Sequence, residues 1–124
     1  MHLTLLPEPM AVCRLPPDAP LPAGVLDAPF CSVTRTTDEL SIVLEARRAQ
    51  AGWKAELGWR MFKVAGPMDF ELTGVVAGLT VPLADAGLPV FVVSTFDTDY
   101  LLVRSDRLDA AIATLRNAGH EVDG

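Results

Sequence analysis

The chain has 124 residues, half of them hydrophobic, and its 10 Lys and Arg against 16 Asp and Glu give a formal net charge of −6. That length builds one ordinary domain or two very small subdomains, with enough apolar residues for a core. The acidic balance argues against nucleic acid, whose recognition needs clustered Lys and Arg, and against anionic membrane surfaces; no apolar run approaches the ~20 residues of a spanning helix.

From the N-terminus, Met1 to Leu6 lacks the basic region and long apolar core of a secretory signal, and Pro7 and Pro9 interrupt it, so a cytoplasmic location is expected. His2–Leu6 and Met10–Leu15 read as strands. The segment Pro16-Pro17-Asp18-Ala19-Pro20-Leu21-Pro22 cannot continue a helix or sheet interior and is a connector. Phe30–Thr36 and Leu40–Leu44 alternate as two more strands around a Thr37-Asp38-Glu39 turn, while Ala23–Asp27 leaves room for barely one helical turn. Cys13 and Cys31 are too far apart for a C-x-x-C redox motif and read as reduced thiols that pack as small hydrophobes.

Ala46–Gly58 is polar, carries two glycines and lies between strand-rich regions, which marks a boundary: residues 1–52 form a strand-rich half and residues 53–124 a second unit. Trp53, in this linker, reads as a peg that docks it onto a domain, ahead of a ligand-stacking role.

The second unit begins with a strand at Trp59–Val64. Leu72, Val75, Val76, Leu79, Leu83 and Ala86 then recur at the spacing of one helix face over Thr73–Ala86, with Asp69 as a candidate cap, Gly87 as the stop and Pro82 as a kink. Val90–Val93 and Tyr100–Val103 are apolar β-prone runs that form a hairpin. Ser105 or Asp106 can cap a last helix that carries Leu108, Ile112, Leu115 and Ala118 on one side and closes at Gly119, before a short edge strand at His120–Val122. The order β-α-β-β-α-β is the split arrangement of the ferredoxin-like fold, an α+β class with both helices on one sheet face.

Four stretches of this unit carry a resemblance: Gly66-Pro67-Met68-Asp69-Phe70-Glu71-Leu72-Thr73-Gly74, Leu83–Val90, Ser94-Thr95-Phe96-Asp97-Thr98-Asp99-Tyr100 with Leu101–Val103, and Ala118-Gly119-His120. Together with Phe30–Thr36 and Asp38–Val43, they resemble the small prokaryotic tandem ACT-domain proteins, which are similar to the ACT domains of the animal cytosolic arginine sensor of the TOR pathway. The resemblance implies amino-acid binding at an interface between ACT domains. A complete second β-α-β-β-α-β unit does not fit before residue 50, so the N-terminal half, if ACT-like, is a reduced one.

The Ser94–Asp99 turn holds two carboxylates and three hydroxyls, more than a turn needs. Asp97 and Asp99 fit either a solvated Asx-type turn or the ammonium group of an amino acid, while the N–H groups at the start of the preceding helix could take its carboxylate. The topology puts that helix start and the turn on one side of the sheet. The resemblance favours binding, and carries it to Thr95, Phe96, Thr98 and Asp99 in the turn, with Thr73 and Gly74 at the helix start and Ser32 and Val33 for the opposing wall. No lysine lies near the turn in sequence, which points to a basic or neutral ligand.

Two distant histidines, His2 and His120, make no metal site, and no H-E-x-x-H, G-x-S-x-G or glycine-rich phosphate loop is present, so neither an enzyme nor a cofactor is expected. The reading is a non-catalytic sensor of a free amino acid, acting as a homodimer. The alternative is a structural interaction module with no ligand.

Overall fold

The computed structural model describes residues 1–66 and 73–124. Contacts divide the chain into two compact units, one made of Met1–Pro7 with Trp59–Gly124 and the other of Glu8–Gly58.

The larger unit contains strand β1 (His2–Leu5), part of β5 (Lys54–Val64), helix α1 (Val75–Asp85), β6 (Val90–Ser94), β7 (Asp99–Arg104), α2 (Leu108–Asn117) and β8 (Glu121–Asp123). From β5 onward this is the β-α-β-β-α-β order read from the sequence, in an α+β fold. Its five strands lie in the order β6-β7-β5-β1-β8, antiparallel except for the parallel β1–β8 pair. β1 thus stands between the first and last strands of the split unit. The boundary expected at residues 52 and 53 had put this strand in the other half. Alternating burial shows that His2–Leu5 is a strand but does not name its partner, and Leu3, fully buried, packs in the core of the larger unit.

That core follows the period of each element. Leu3, Phe62, Val64, Leu101, Val103 and Val122 project from the sheet onto Leu79 and Leu83 of α1 and Ala111 and Leu115 of α2. Both helices end at the glycines expected from the sequence, Gly87 and Gly119, at φ of 74° and 94°. In each case the amide three residues past the helix bonds back to a core leucine carbonyl, Leu88 N to Leu83 O at 2.9 Å and His120 N to Leu115 O at 3.1 Å.

The helix starts differ from the caps expected. Asp69 and Leu72 lie outside the described residues, and the N-cap position of α1 is Gly74, without a side-chain hydrogen bond. Ser105 and Asp106 do not cap α2: they form a short 3-10 turn, Ser105–Arg107, that leads into the helix. Pro82 stays inside α1. Lacking an N–H, it cannot serve the carbonyl of Gly78, and the His120 side chain takes over, with Nε2 2.9 Å from Gly78 O. The bond fixes the tautomer, since only a protonated Nε2 can donate to a carbonyl.

The smaller unit is a three-stranded antiparallel sheet of β2 (Met10–Leu15), β3 (Cys31–Arg35) and β4 (Leu40–Glu45), with β4 in the centre. Period-two alternation puts Ala11, Cys13 and Leu15 of β2 and Leu40, Ile42 and Leu44 of β4 in one core, with Val25 from a 3-10 turn. Trp53 packs against this core, as a docking peg should. The Arg35 guanidinium donates to the carbonyls of Pro17 and Ala19 and so ties down the proline connector. At the end of β4 the buried Glu45 carboxylate accepts from Arg47 Nε at 3.2 Å and Arg48 Nε at 3.1 Å. Burial pushes the Cys13 thiol above its ordinary pKa, which keeps it protonated and unreactive.

Candidate functional site

The hairpin of β6 and β7 turns through Thr95-Phe96-Asp97-Thr98. Thr95 N donates to Thr98 O at 2.8 Å, and the Thr95 hydroxyl both donates to Thr98 O at 3.1 Å and accepts from Thr98 N at 3.3 Å. The turn is therefore closed twice over by Thr95. Thr98 is only 4% exposed, and its hydroxyl donates to Val64 O at 2.6 Å, which clips the turn to the end of β5. Ser94 and Asp99 face each other across the strands, and Ser94 Oγ donates to Asp99 Oδ1 at 2.6 Å.

Gly66 completes the joint. A Cβ built there would stand 2.9 Å from both Asp97 O and Thr98 Cβ, so the close approach of turn and strand end requires glycine. The result is a recess of about 190 Å³ lined by Lys63, Gly66, Thr95, Asp97, Thr98 and Tyr100.

Of the residues singled out in the sequence, Thr95, Asp97 and Thr98 line this recess. Asp99 stands at the adjoining strand end, bonded to Ser94, and Phe96 is 79% exposed at the tip. Thr73 and Gly74 are not among the lining residues; Gly74 opens α1 at φ 78°. Ser32 and Val33 stand on β3 of the smaller unit, paired with Val43 and Ile42.

Three lining residues, Lys63, Gly66 and Tyr100, were not among the site residues read from the sequence. Lys63 lies opposite Tyr100 in the β5–β7 register, so both project on the sheet face away from the helices, beside the turn. The lysine that no neighbouring sequence position supplies comes from 34 residues before Asp97, and the local charge is not purely acidic. Strand pairing was the signal: with β5 and β7 aligned, the alternation that buries Phe62 and Val64 brings Lys63 out between them.

A second recess, of about 170 Å³, lies in the smaller unit and is lined by Ala23, Gly24, Val25, Leu44, Arg48 and Gln50. Its one charged side chain, Arg48, already serves Glu45. Among the described residues, no group of three or more His, Cys, Asp or Glu could hold a metal ion.

The model of the ACT-domain family matches residues 54–117, just over half of the chain. The chain belongs to the ACT-domain family. A second family model, described as an N-terminal domain, matches residues 8–48. A crystal structure of a protein from Agrobacterium tumefaciens is 41% identical to this ACT-domain chain at a TM-score of 0.92, covering 98% of this chain and 90% of that one. The cytosolic arginine sensor for mTORC1, subunit 1, of Homo sapiens is 37% identical over 59 residues, which are 47% of this chain and 18% of the sensor. The chain thus spans about a fifth of the length of that curated relative. The regulatory subunit of aspartate kinase from Thermus thermophilus, 14% identical at a TM-score of 0.65 over 94% of this chain and 96% of that one, shares the fold. ACT domains are a regulatory type of domain, and these last two relatives are named as a sensor and a regulatory subunit.

Proposed function

We propose that this ACT-domain protein is a non-catalytic regulatory sensor that binds a free amino acid, neutral or basic, at the β6–β7 turn, and that it acts as a cytoplasmic homodimer. One observation carries the reading. The turn is held closed by Thr95 and Thr98, so its shape does not depend on Asp97, whose carboxylate makes no ion pair among the described residues and lines a recess of about 190 Å³. A preformed, small, polar recess with one uncommitted carboxylate suits the ammonium group of a small molecule.

Phe96 at the tip offers apolar area beside the recess, and Asp99 a second carboxylate. Thr73 and Gly74, at the start of α1, rest on the family resemblance alone. The human relative, an arginine sensor, supports regulation over catalysis.

A thermal-shift panel of the twenty amino acids tests the proposal. A ligand at 100 times its dissociation constant stabilises by about 2.7 kcal/mol, which raises the midpoint of a domain of this size by several degrees, at about 3 °C or more per kcal/mol. Asp97→Asn should remove that shift and leave the unliganded midpoint in place.

A second reading, an interaction module without a ligand, is favoured by α1, where Val76 and Val81 are 39% and 54% exposed on a helix whose only charged residue is Asp85. A flat panel at millimolar concentrations together with a dimer in sedimentation would favour it.

A further inference from the structure

Lys63 and Asp97 line the same small recess, yet among the described residues neither makes an ion pair, with each other or with anything else. Opposite charges that share a recess without meeting leave space between them for a molecule bearing the complement of both. We infer that Lys63 is the partner of the ligand's carboxylate, so that the recess recognises the two charges of a zwitterion together and discriminates against amines that have no carboxylate. This rests on the amino-acid reading above and deepens it.

The competing source of a carboxylate site is backbone N–H. In the turn, the amides of Thr95 and Thr98 are engaged, one by Thr98 O and the other by the Thr95 hydroxyl. At the start of α1, neither of the described residues Thr73 and Gly74 lines the recess. The Thr98 hydroxyl is committed to Val64 O. Lys63 is the one cation among the described lining residues, held by the β5–β7 pairing opposite Tyr100.

Charge then sorts the ligands. A zwitterion gains a charge-assisted bond at each end. A plain amine keeps the bond to Asp97 and faces the like charge of Lys63, whereas a plain carboxylate keeps the bond to Lys63 and faces Asp97. Among the described lining residues one lysine stands against one aspartate, which gives no net preference for a cationic side chain. A basic ligand must find its extra partner outside these six residues, for which Asp99 is the nearest carboxylate in sequence.

The test is isothermal titration of the full chain with each amino acid that stabilises it in the panel, and with the amine left when that amino acid loses its α-carboxylate. The unmodified chain should bind the amino acid about tenfold or more tightly than the amine. Lys63→Met, which keeps the apolar stem, should weaken the amino acid by about the same factor and leave the amine within about twofold, and Lys63→Arg should restore most of the loss. If the unmodified chain binds acid and amine alike, or if Lys63→Met binds the amino acid as the unmodified chain does, the inference is overturned while the sensor reading stands. If no amino acid binds at millimolar concentration, the sensor reading itself fails and takes this inference with it.

Discussion

Gly66 has room for a hydrogen and nothing larger. Its substitution by alanine would press a methyl against a backbone carbonyl and a branched Cβ, both at 2.9 Å, and neither can swing aside as the end of a long side chain could. Gly66→Ala should therefore lower stability by about 1–3 kcal/mol, the usual cost of overpacking, and weaken ligand binding as the turn lifts from β5; chemical denaturation with and without ligand measures both. His2 is the other residue with a measurable signature. Its ring lies 3.1 Å from Glu121 Oε2 and 2.8 Å from Asp123 Oδ2 on the neighbouring strand, and these carboxylates, Glu121 first through its hydrogen bond and then the charge of Asp123, raise the imidazole pKa above 6.5. A raised folded-state pKa means stability that is fully present below pH 6.5 and is lost as pH rises through the folded value. Melting midpoints should thus fall across that window, and the fall should be absent in His2→Asn. Of the site, the turn residues were readable because a run of hydroxyls and aspartates between two apolar strands is unusual. The hidden part was their use: a threonine whose hydroxyl is spent on Val64 O looks, in sequence, the same as one that waits for a ligand.

At the scale of elements, α1 shows how a defect in one segment is answered by another. Pro82 leaves the Gly78 carbonyl without its helical donor, and His120, just past the end of α2, supplies one. Removing it in His120→Ala should cost about 1 kcal/mol, the net worth of a typical hydrogen bond, and hydrogen exchange should quicken at the amides of α1 ahead of those of α2. Helix ends were legible because Gly87 and Gly119 adopt a conformation that other residues avoid, and that preference is local to the chain. Helix starts were less so. Ser105 and Asp106 have capping side chains but sit in a 3-10 turn instead, which the sequence pattern cannot separate from the first turn of a helix. β5 was also underread: it begins at Lys54 and not at Trp59, since a polar, exposed strand end carries no alternation to reveal it.

For the whole chain, the decisive feature is that the first residues complete the last unit. β1 is the only described partner of β8, and Leu3 sits at zero exposure in the core that the helices cover. A fragment of residues 53–124 should therefore show no cooperative melt by circular dichroism, and a peptide of residues 1–7 added in excess should restore one; a fragment of residues 1–52 should not fold either, having lost both Trp53 and the sheet that β1 joins. The fold class was legible because period and turn chemistry are local, whereas the strand order was not, because nothing in His-Leu-Thr-Leu says which sheet it enters. The same limit hid Lys63. Where an amino acid binds is read directly by amide shift mapping by NMR, with the amino acid that stabilises the chain most. Perturbations should centre on Lys63, Gly66 and the amides of Thr95–Tyr100; perturbations centred on Ala23–Val25 and Arg48–Gln50, or none at saturating concentration, would contradict it.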